Sequence, residues 1–242
     1  MAGEGDVKLL GVAVSPFALR VRMALQMKGV GYEYIEQDLF NKSELLVASN
    51  PVHKKVPVLI HGSKPICESS AIVQYVDEAW ATGGPSILPA DPYQRAVARF
   101  WAAYVDDKVF PAWVAIMRAA TEEERAEKLA AAQDVVELME GAFAECSGDG
   151  EEEEDKDFFG GDSVGYVDLA LGSNLFWFQP LHEMFGVTVI DAGKAPRLAA
   201  WAERFLETEV AKVVAPAPGS VVEYAGKLSA RRLAAAAAAA NK

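Results

Sequence analysis

Residues 56–69 read VPVLIHGSKPICES. Val56 to Ile60 and Lys64 to Cys67 are two short strand-like runs on either side of His61-Gly62-Ser63, the strongest hairpin signal in the chain. Directly after Glu68-Ser69, the apolar rows Ile72, Val76, Ala79 and Val73, Trp80 recur at helical spacing, which predicts a helix from Ser69 to Ala81. An antiparallel hairpin that runs straight into a helix closes one edge of a small sheet. The residues before it decide what kind of sheet that is.

Upstream, Val7 to Val12 reads as a short buried strand. Ser15-Pro16 reads as an N-cap followed by proline at the first helical position. That helix is expected from Pro16 to about Lys28, with Phe17, Val21, Ala24 and Leu25 on one face and Gly29 as its stop. Tyr32 to Gln37 predicts a second strand. Asn41 and Glu44 stand at capping-box spacing ahead of Leu45 and Leu46, and the short helix they open must end by Asn50-Pro51. The order β-α-β-α-β-β-α joins a parallel crossover to an antiparallel hairpin. It predicts an α/β, thioredoxin-like domain with a mixed four-stranded sheet over residues 1–82.

Gly83-Gly84-Pro85 to Pro92 is dense in Gly and Pro and reads as a linker, 83–92. From Tyr93 onward the pattern is helical almost throughout, so residues 93–242 are expected to form an all-α domain. Phe100, Trp101, Tyr104, Val105 and Lys108 mark one helix, and Ala130 to Phe143, Gly165 to Phe178 and Pro196 to Thr208 mark others. Ser147 to Asp157 predicts a solvated, disordered acidic loop, and Ala234 to Ala240 a fraying end.

Across 242 residues, Lys and Arg number 23 against 35 Asp and Glu, a formal charge of −12. The run Glu151 to Asp155 accounts for only five of those charges. So acidic a surface disfavours nucleic acid and anionic lipid, and neither is expected as a partner. Two cysteines without a paired spacing, Cys67 and Cys146, argue against a disulfide framework and for a reducing compartment. His53, His61 and His182 make no zinc spacing with them, so no metal is expected. Met1 to Asp6 lacks the basic and apolar regions of a signal peptide, and no apolar run could span a bilayer. A cytoplasmic protein is expected.

Three junctions at the end of the sheet concentrate polar groups. At Ser15 the plain interpretation is an ordinary cap. The functional one is a hydroxyl donating to an anion that the helix dipole already favours. No Gly-x-Ser-x-Gly elbow and no nearby histidine support a serine hydrolase. Glu68-Ser69 is either a second cap or a recognition pair, in which Glu68 holds an ammonium and Ser69 with the helix end holds a carboxylate. Lys42 and Lys54-Lys55 are surface charges by default, yet in so acidic a chain they are suited to attract a second carboxylate. A cis bond at Val56-Pro57 would turn the Val56 N–H and C=O outward, toward a peptide-like ligand.

These residues resemble the glutathione transferases, and the plant tau class most closely. The matching stretches are Val14-Ser15-Pro16-Phe17, Asn41 to Leu46, Ser49 to Ile60 (SNPVHKKVPVLI), Pro65 to Ser69, Ala98 to Ala102, and Phe158 to Asp168 (FFGGDSVGYVD). The resemblance implies a glutathione transferase fold and a homodimer that conjugates glutathione, its co-substrate, to hydrophobic electrophiles such as herbicides and stress products. By resemblance, Ser15 donates to the glutathione sulfur and Lys42 and Lys55 meet the glycyl carboxylate. The Val56 backbone, before a cis Pro57, pairs with the cysteinyl unit, while Glu68 and Ser69 take the γ-glutamyl end. Phe17, Phe110, Val114, Met117 and Trp177 are candidates for the hydrophobic substrate wall, each equally readable as core. Family members often place Ser or Thr where Gly165 caps the helix holding Asp168, so that helix is expected to have a narrower stability margin. Alternative functions are a non-catalytic carrier of apolar ligands or a glutathione-dependent peroxidase. A thiol transferase or dehydroascorbate reductase would want cysteine at the position of Ser15.

Overall fold

The fold is taken from a computed structural model that describes residues 6–147 and 156–240. Its first half contains β1 (Val7–Gly11), α1 (Pro16–Met27), β2 (Glu33–Glu36), α2 (Glu44–Ser49), β3 (Val58–His61), β4 (Lys64–Cys67) and α3 (Ser69–Ala79). The strands run in the order β2-β1-β3-β4. β1 pairs parallel with β2, placing Leu9 beside Tyr34, and antiparallel with β3, placing Leu9 beside Leu59. β3 and β4 form the antiparallel hairpin around Gly62, whose φ of +62° suits a residue without a Cβ. The mixed sheet is therefore the one expected.

Alternation along the strands gives the sheet two different faces. Val7, Leu9 and Leu59 point into the main core with Leu19, Ile72 and Val76 of α1 and α3. Leu10 and Val58, one residue out of phase, close a small second core with Leu46 of α2. The cap of α2 corrects the sequence reading. Ser43, not Asn41, accepts from the Leu46 N–H at 3.1 Å. Asn41 is drawn into a preceding turn, its N–H bonded to the Asp38 carbonyl, while the Asp38 side chain accepts from Phe40.

The second half is helical: α4 (Pro92–Tyr104), α5 (Phe110–Arg118), α6 (Glu122–Ser147), α7 (Tyr166–Phe185), α8 (Pro196–Glu207), α9 (Glu209–Val214) and α10 (Ser220–Ala240). A π-helical turn, Val105–Val109, joins α4 to α5. Asp91 caps α4, accepting from Tyr93 and Gln94. α7 is the axis of this half, buried along nearly its whole length, and Gly172 lets the Phe205 ring lie directly against its backbone. It outruns the expected end at Phe178: Pro180 lies within it, the fully buried Leu181 holds its last turn, and Gly186 at φ +67° ends it. The alanine tail, expected to fray, continues α10 to Ala240, in keeping with alanine's helix propensity. Ser147 ends α6 rather than opening the acidic loop, and residues 148–155 of that loop lie outside the described residues.

Between the halves the chain crosses the end of α1 closely, because a Cβ on Gly83 or Gly84 would collide with the carbonyls of Lys28 or Met27. A buried ion pair fastens it there. Lys28 Nζ lies 2.8 Å from Asp77 and donates to the Pro85 carbonyl, while Asp77 accepts from the N–H groups of Ile87 and Leu88. Burial pushes the Asp77 carboxyl upward, but the Lys28 ammonium and the two N–H donors outweigh it and hold the group below its usual range. Among the described residues, no helix is long and apolar enough to cross a membrane.

Candidate active site

The loop from β1 into α1 is Val12-Ala13-Val14-Ser15. Ser15 occupies the N-cap position, with extended φ and ψ of −73° and 122°, and its carbonyl accepts the first helical bond from Leu19 at 2.9 Å. Its hydroxyl, however, makes no capping bond, and among the described residues nothing donates to it or accepts from it. An ordinary cap would use that oxygen on an N–H of the first turn. Here the backbone of the loop is fixed by other groups. Glu36 accepts from Ala13 N–H at 3.1 Å, and the Trp177 indole N–H donates to the Val14 carbonyl at 2.7 Å.

Beside this loop lies a cleft of about 120 Å³ lined by Phe17, Lys55, Val56, Pro57, Glu68 and Ser69. The Val56–Pro57 peptide is cis. Buried Asn50 shapes the approach to it, donating from Nδ2 to the Lys55 carbonyl and accepting the His53 N–H, both at 3.0 Å. Glu68 takes a φ of +69° between β4 and α3. Its carboxylate does not cap α3; it projects outward, 3.9 Å from His53 Nε2. Ser69, buried, opens α3, whose first turn has no side-chain cap.

Four of the six expected glutathione contacts (Lys55, Val56, Glu68 and Ser69) thus share one wall with Pro57 and Phe17. Ser15 and Lys42 are not among the lining residues: Ser15 stands two residues before Phe17, which is, and Lys42 is exposed ahead of α2. Of the apolar candidates, Phe17 meets Phe110 with ring centres 4.8 Å apart. Met117 is half-buried, Val114 is buried, and Trp177 is 3% exposed. The sequence reading missed Arg20. Its guanidinium, on the buried face of α1, forms a two-pronged bond to Asp106 at 2.6 and 2.9 Å, and it reaches Ser69 Oγ at 3.5 Å and the Ala170 carbonyl at 3.3 Å. Tyr166 adds a second tie, donating to the Ser70 carbonyl at 3.2 Å. Both bonds brace the start of α3, the first from α1, whose Arg20 is anchored on Asp106 of the helical half, and the second from α7 directly. The available signal was a cation in line with Phe17 and Ala24 on an otherwise apolar helix face.

Asp168, expected to be structural, is fully buried. It accepts from Gly165, Phe159 and Gly160 N–H groups and from the Trp201 indole, at 2.7 to 3.0 Å. Burial pushes its carboxyl up to about 6, against these four donors, which favour the ionised form. Gly165 contributes no side chain, so only the backward half of a capping box is made, from its N–H to Asp168. A larger cavity of about 450 Å³ lies elsewhere, between Ser86–Asp91, the start of α4 and residues 159–167, and includes none of these candidate residues. Cys146 lines it, but burial pushes that thiol up to about 12 and leaves it a poor nucleophile. No cluster of three or more metal-ligating side chains exists among the described residues.

Families of known proteins match both halves. The glutathione S-transferase N-terminal domain matches residues 5–78, and the glutathione S-transferase C-terminal domain matches residues 122–204. The probable glutathione S-transferase GSTU6 of Oryza sativa subsp. japonica is 56% identical over 220 residues, covering 89% of this chain and 91% of its own. Glutathione S-transferase U17 of Arabidopsis thaliana is 45% identical over 225 residues, covering 93% and 96%. Among solved structures, the tau class glutathione S-transferase of mango, Mangifera indica, superposes with a TM-score of 0.83 at 45% identity, covering 93% of this chain and 98% of that one. Rice GST1, solved in complex with glutathione, gives 0.81 at 37% identity, covering 94% and 99%.

Proposed function

Because the chain belongs to the glutathione S-transferases, and among them to the plant tau class, we propose that it conjugates reduced glutathione to hydrophobic electrophiles through a thiolate stabilised by Ser15. The observation that carries this reading is the Ser15 hydroxyl, which stands at a helix start without serving the helix. Lys55 and Lys42 take the glycyl carboxylate, the outward Val56 backbone the cysteinyl unit, and Glu68 the γ-glutamyl ammonium. Ser69 and the uncapped start of α3 take the γ-glutamyl carboxylate. Phe17, Phe110, Val114 and Met117 supply the apolar side. Residues 1–82 form the glutathione-binding domain, 83–92 the linker and 93–242 the helical domain. Exposed Val52, Tyr93 and Phe100 support a homodimer, since large apolar side chains at 78%, 74% and 61% exposure suit a protein contact. The acidic charge and the free, half-buried cysteines support a cytoplasmic setting.

A free thiol titrates near 8.5, so lowering that by about two units needs roughly 2.7 kcal/mol of preference for the thiolate. One charge-assisted hydrogen bond supplies about 1.5–3 kcal/mol and a helix N-terminus about 0.3–1 kcal/mol. Ser15 and α1 therefore suffice without a general base. The thiol proton leaves to solvent while the Ser15 O–H donates to the sulfur. A sulfur lone pair then forms the S–C bond as the leaving group departs with its electron pair, and the rate gain comes from holding both reactants together.

The test is an ultraviolet titration of bound glutathione for the thiolate band. Wild type should titrate well below the free thiol, and Ser15→Ala should still bind glutathione but titrate near the free value and lose most turnover. Unchanged turnover in Ser15→Ala removes this residue from the mechanism. Normal glutathione affinity with no turnover on several electrophiles would favour the carrier instead.

A further inference from the structure

We propose that Trp177 is a positioning residue for Ser15, acting from across the domain boundary through its indole N–H. The inference rests on Ser15 being the donor to the thiolate. Trp177 belongs to α7 in the helical half, and its Nε1 donates to the Val14 carbonyl at 2.7 Å. That carbonyl shares a planar peptide unit with the Ser15 N–H, which donates to the Val12 carbonyl at 2.9 Å. Both ends of the plane that leads into Ser15 are thus bonded, and the Val12–Ala13 plane, whose carbonyl accepts the Ser15 N–H, is held at its other end by Glu36 on the Ala13 N–H. The direction in which the hydroxyl leaves the backbone is set by these bonds, and among the described residues none is made by the hydroxyl itself.

Trp177 is itself held firmly. Its ring stacks on Trp113 at 4.9 Å, and Trp113 donates to Asn174 Oδ1 at 2.9 Å. At 3% exposure Trp177 presents almost no surface to a ligand, so its expected contribution as a pocket wall gives way to one made through the loop. The two halves meet at this bond: the helical domain sets the angle of a group that the sheet domain carries.

The experiment is the thiolate titration on Trp177→Phe, Trp113→Phe, Ser15→Ala and the Ser15→Ala/Trp177→Phe pair. Trp177→Phe keeps an aromatic ring but loses the N–H. Its titration midpoint should rise by about half a unit to one unit, the range of one lost hydrogen bond, with glutathione affinity nearly constant. Trp113→Phe disturbs the same stack but keeps the Trp177 N–H, and should move the midpoint by less than Trp177→Phe does. In the double variant, Trp177→Phe should add nothing to Ser15→Ala, because its effect passes through that hydroxyl. An unmoved midpoint in Trp177→Phe, an equal shift in Trp113→Phe, or additive shifts in the pair would each overturn the proposal. A midpoint unmoved in Ser15→Ala would instead sink the reading of Ser15 itself. Should Trp177→Phe fail to fold, the ¹⁵N indole resonance of Trp177 in the unsubstituted protein decides the matter. It should move with the titration of the bound thiol, and an indole signal that stays fixed overturns the proposal.

Discussion

Glu68 holds a φ of +69° that side-chain-bearing residues rarely adopt, at a cost of about 1–3 kcal/mol. No capping bond compensates it. Such strain persists where the position serves something other than the fold. Glu68→Gly is therefore expected to melt no earlier than the parent in a thermal scan. Its KM for glutathione should nevertheless rise about tenfold or more, as the loss of a charge-assisted contact implies. A Glu68→Gly protein with unchanged KM would show that the carboxylate does not touch the ligand. Residues of this kind were readable in the sequence because they are polar and sit where a strand gives way to a helix. Asn50, Arg20 and Asp106 were not. Asn50 acts on backbone groups within its own loop, and Arg20 finds its carboxylate 86 positions later in the chain, a pairing no local pattern encodes.

At the scale of elements, the order of strands and helices was legible because its punctuation is local: proline after Ser15, the glycine turn at Gly62, the breaks at Gly29 and Asn50-Pro51. What was misjudged lay in ends and joints. α6 begins at Glu122, well before Ala130, because Glu122, Glu123 and Glu124 form a first turn that complements the helix dipole without any apolar periodicity. The π-helical turn at Val105–Val109 leaves no mark in composition, yet it is the segment that presents Asp106 to Arg20. The linker, marked in the sequence only by its Gly and Pro content, is pinned by Lys28 and Asp77, a contact that composition does not show. Lys28→Met should destabilise the protein by about 3–5 kcal/mol in urea unfolding, since it leaves a buried carboxylate without its cation. The pH dependence has a definite sign. Asp77 titrates lower in the folded state than in the unfolded one, so its contribution is complete above the unfolded value near 3.9 and is lost as pH falls through the folded value. Lys28→Met should therefore show a shallower loss of stability than wild type as the pH falls below about 4.

Over the whole molecule, the apolar interior does not stop at the linker. Leu9, Leu19 and Ile72 from the sheet half and Val105, Trp113, Leu169 and Leu175 from the helical half belong to one contiguous core. α1 packs on both α3 of the sheet half and α7 of the helical half. Sequence patterning marked out two halves correctly as architectures, but it did not reveal their shared core, because hydrophobic periodicity says which face is buried and not against what. Residues 6–82 produced alone would strip α1 of its α7 partner, leaving the Arg20 guanidinium without Asp106 and an apolar strip open to water. Such a fragment should aggregate or remain molten by near-ultraviolet circular dichroism, and a cooperative, monomeric fragment that retains glutathione would contradict this.

The joint between the halves also governs how such a protein can diversify. With the Ser15 loop tied to the helical half through Trp177, and the start of α3 through Tyr166 and the Arg20–Asp106 pair, an exchange of helical halves between relatives would, on the mechanism proposed above, transplant more than a binding preference: it would retune the acidity of the sulfur as well. Chimeras that swap everything beyond the linker should differ in pH optimum even where every residue touching the tripeptide is identical.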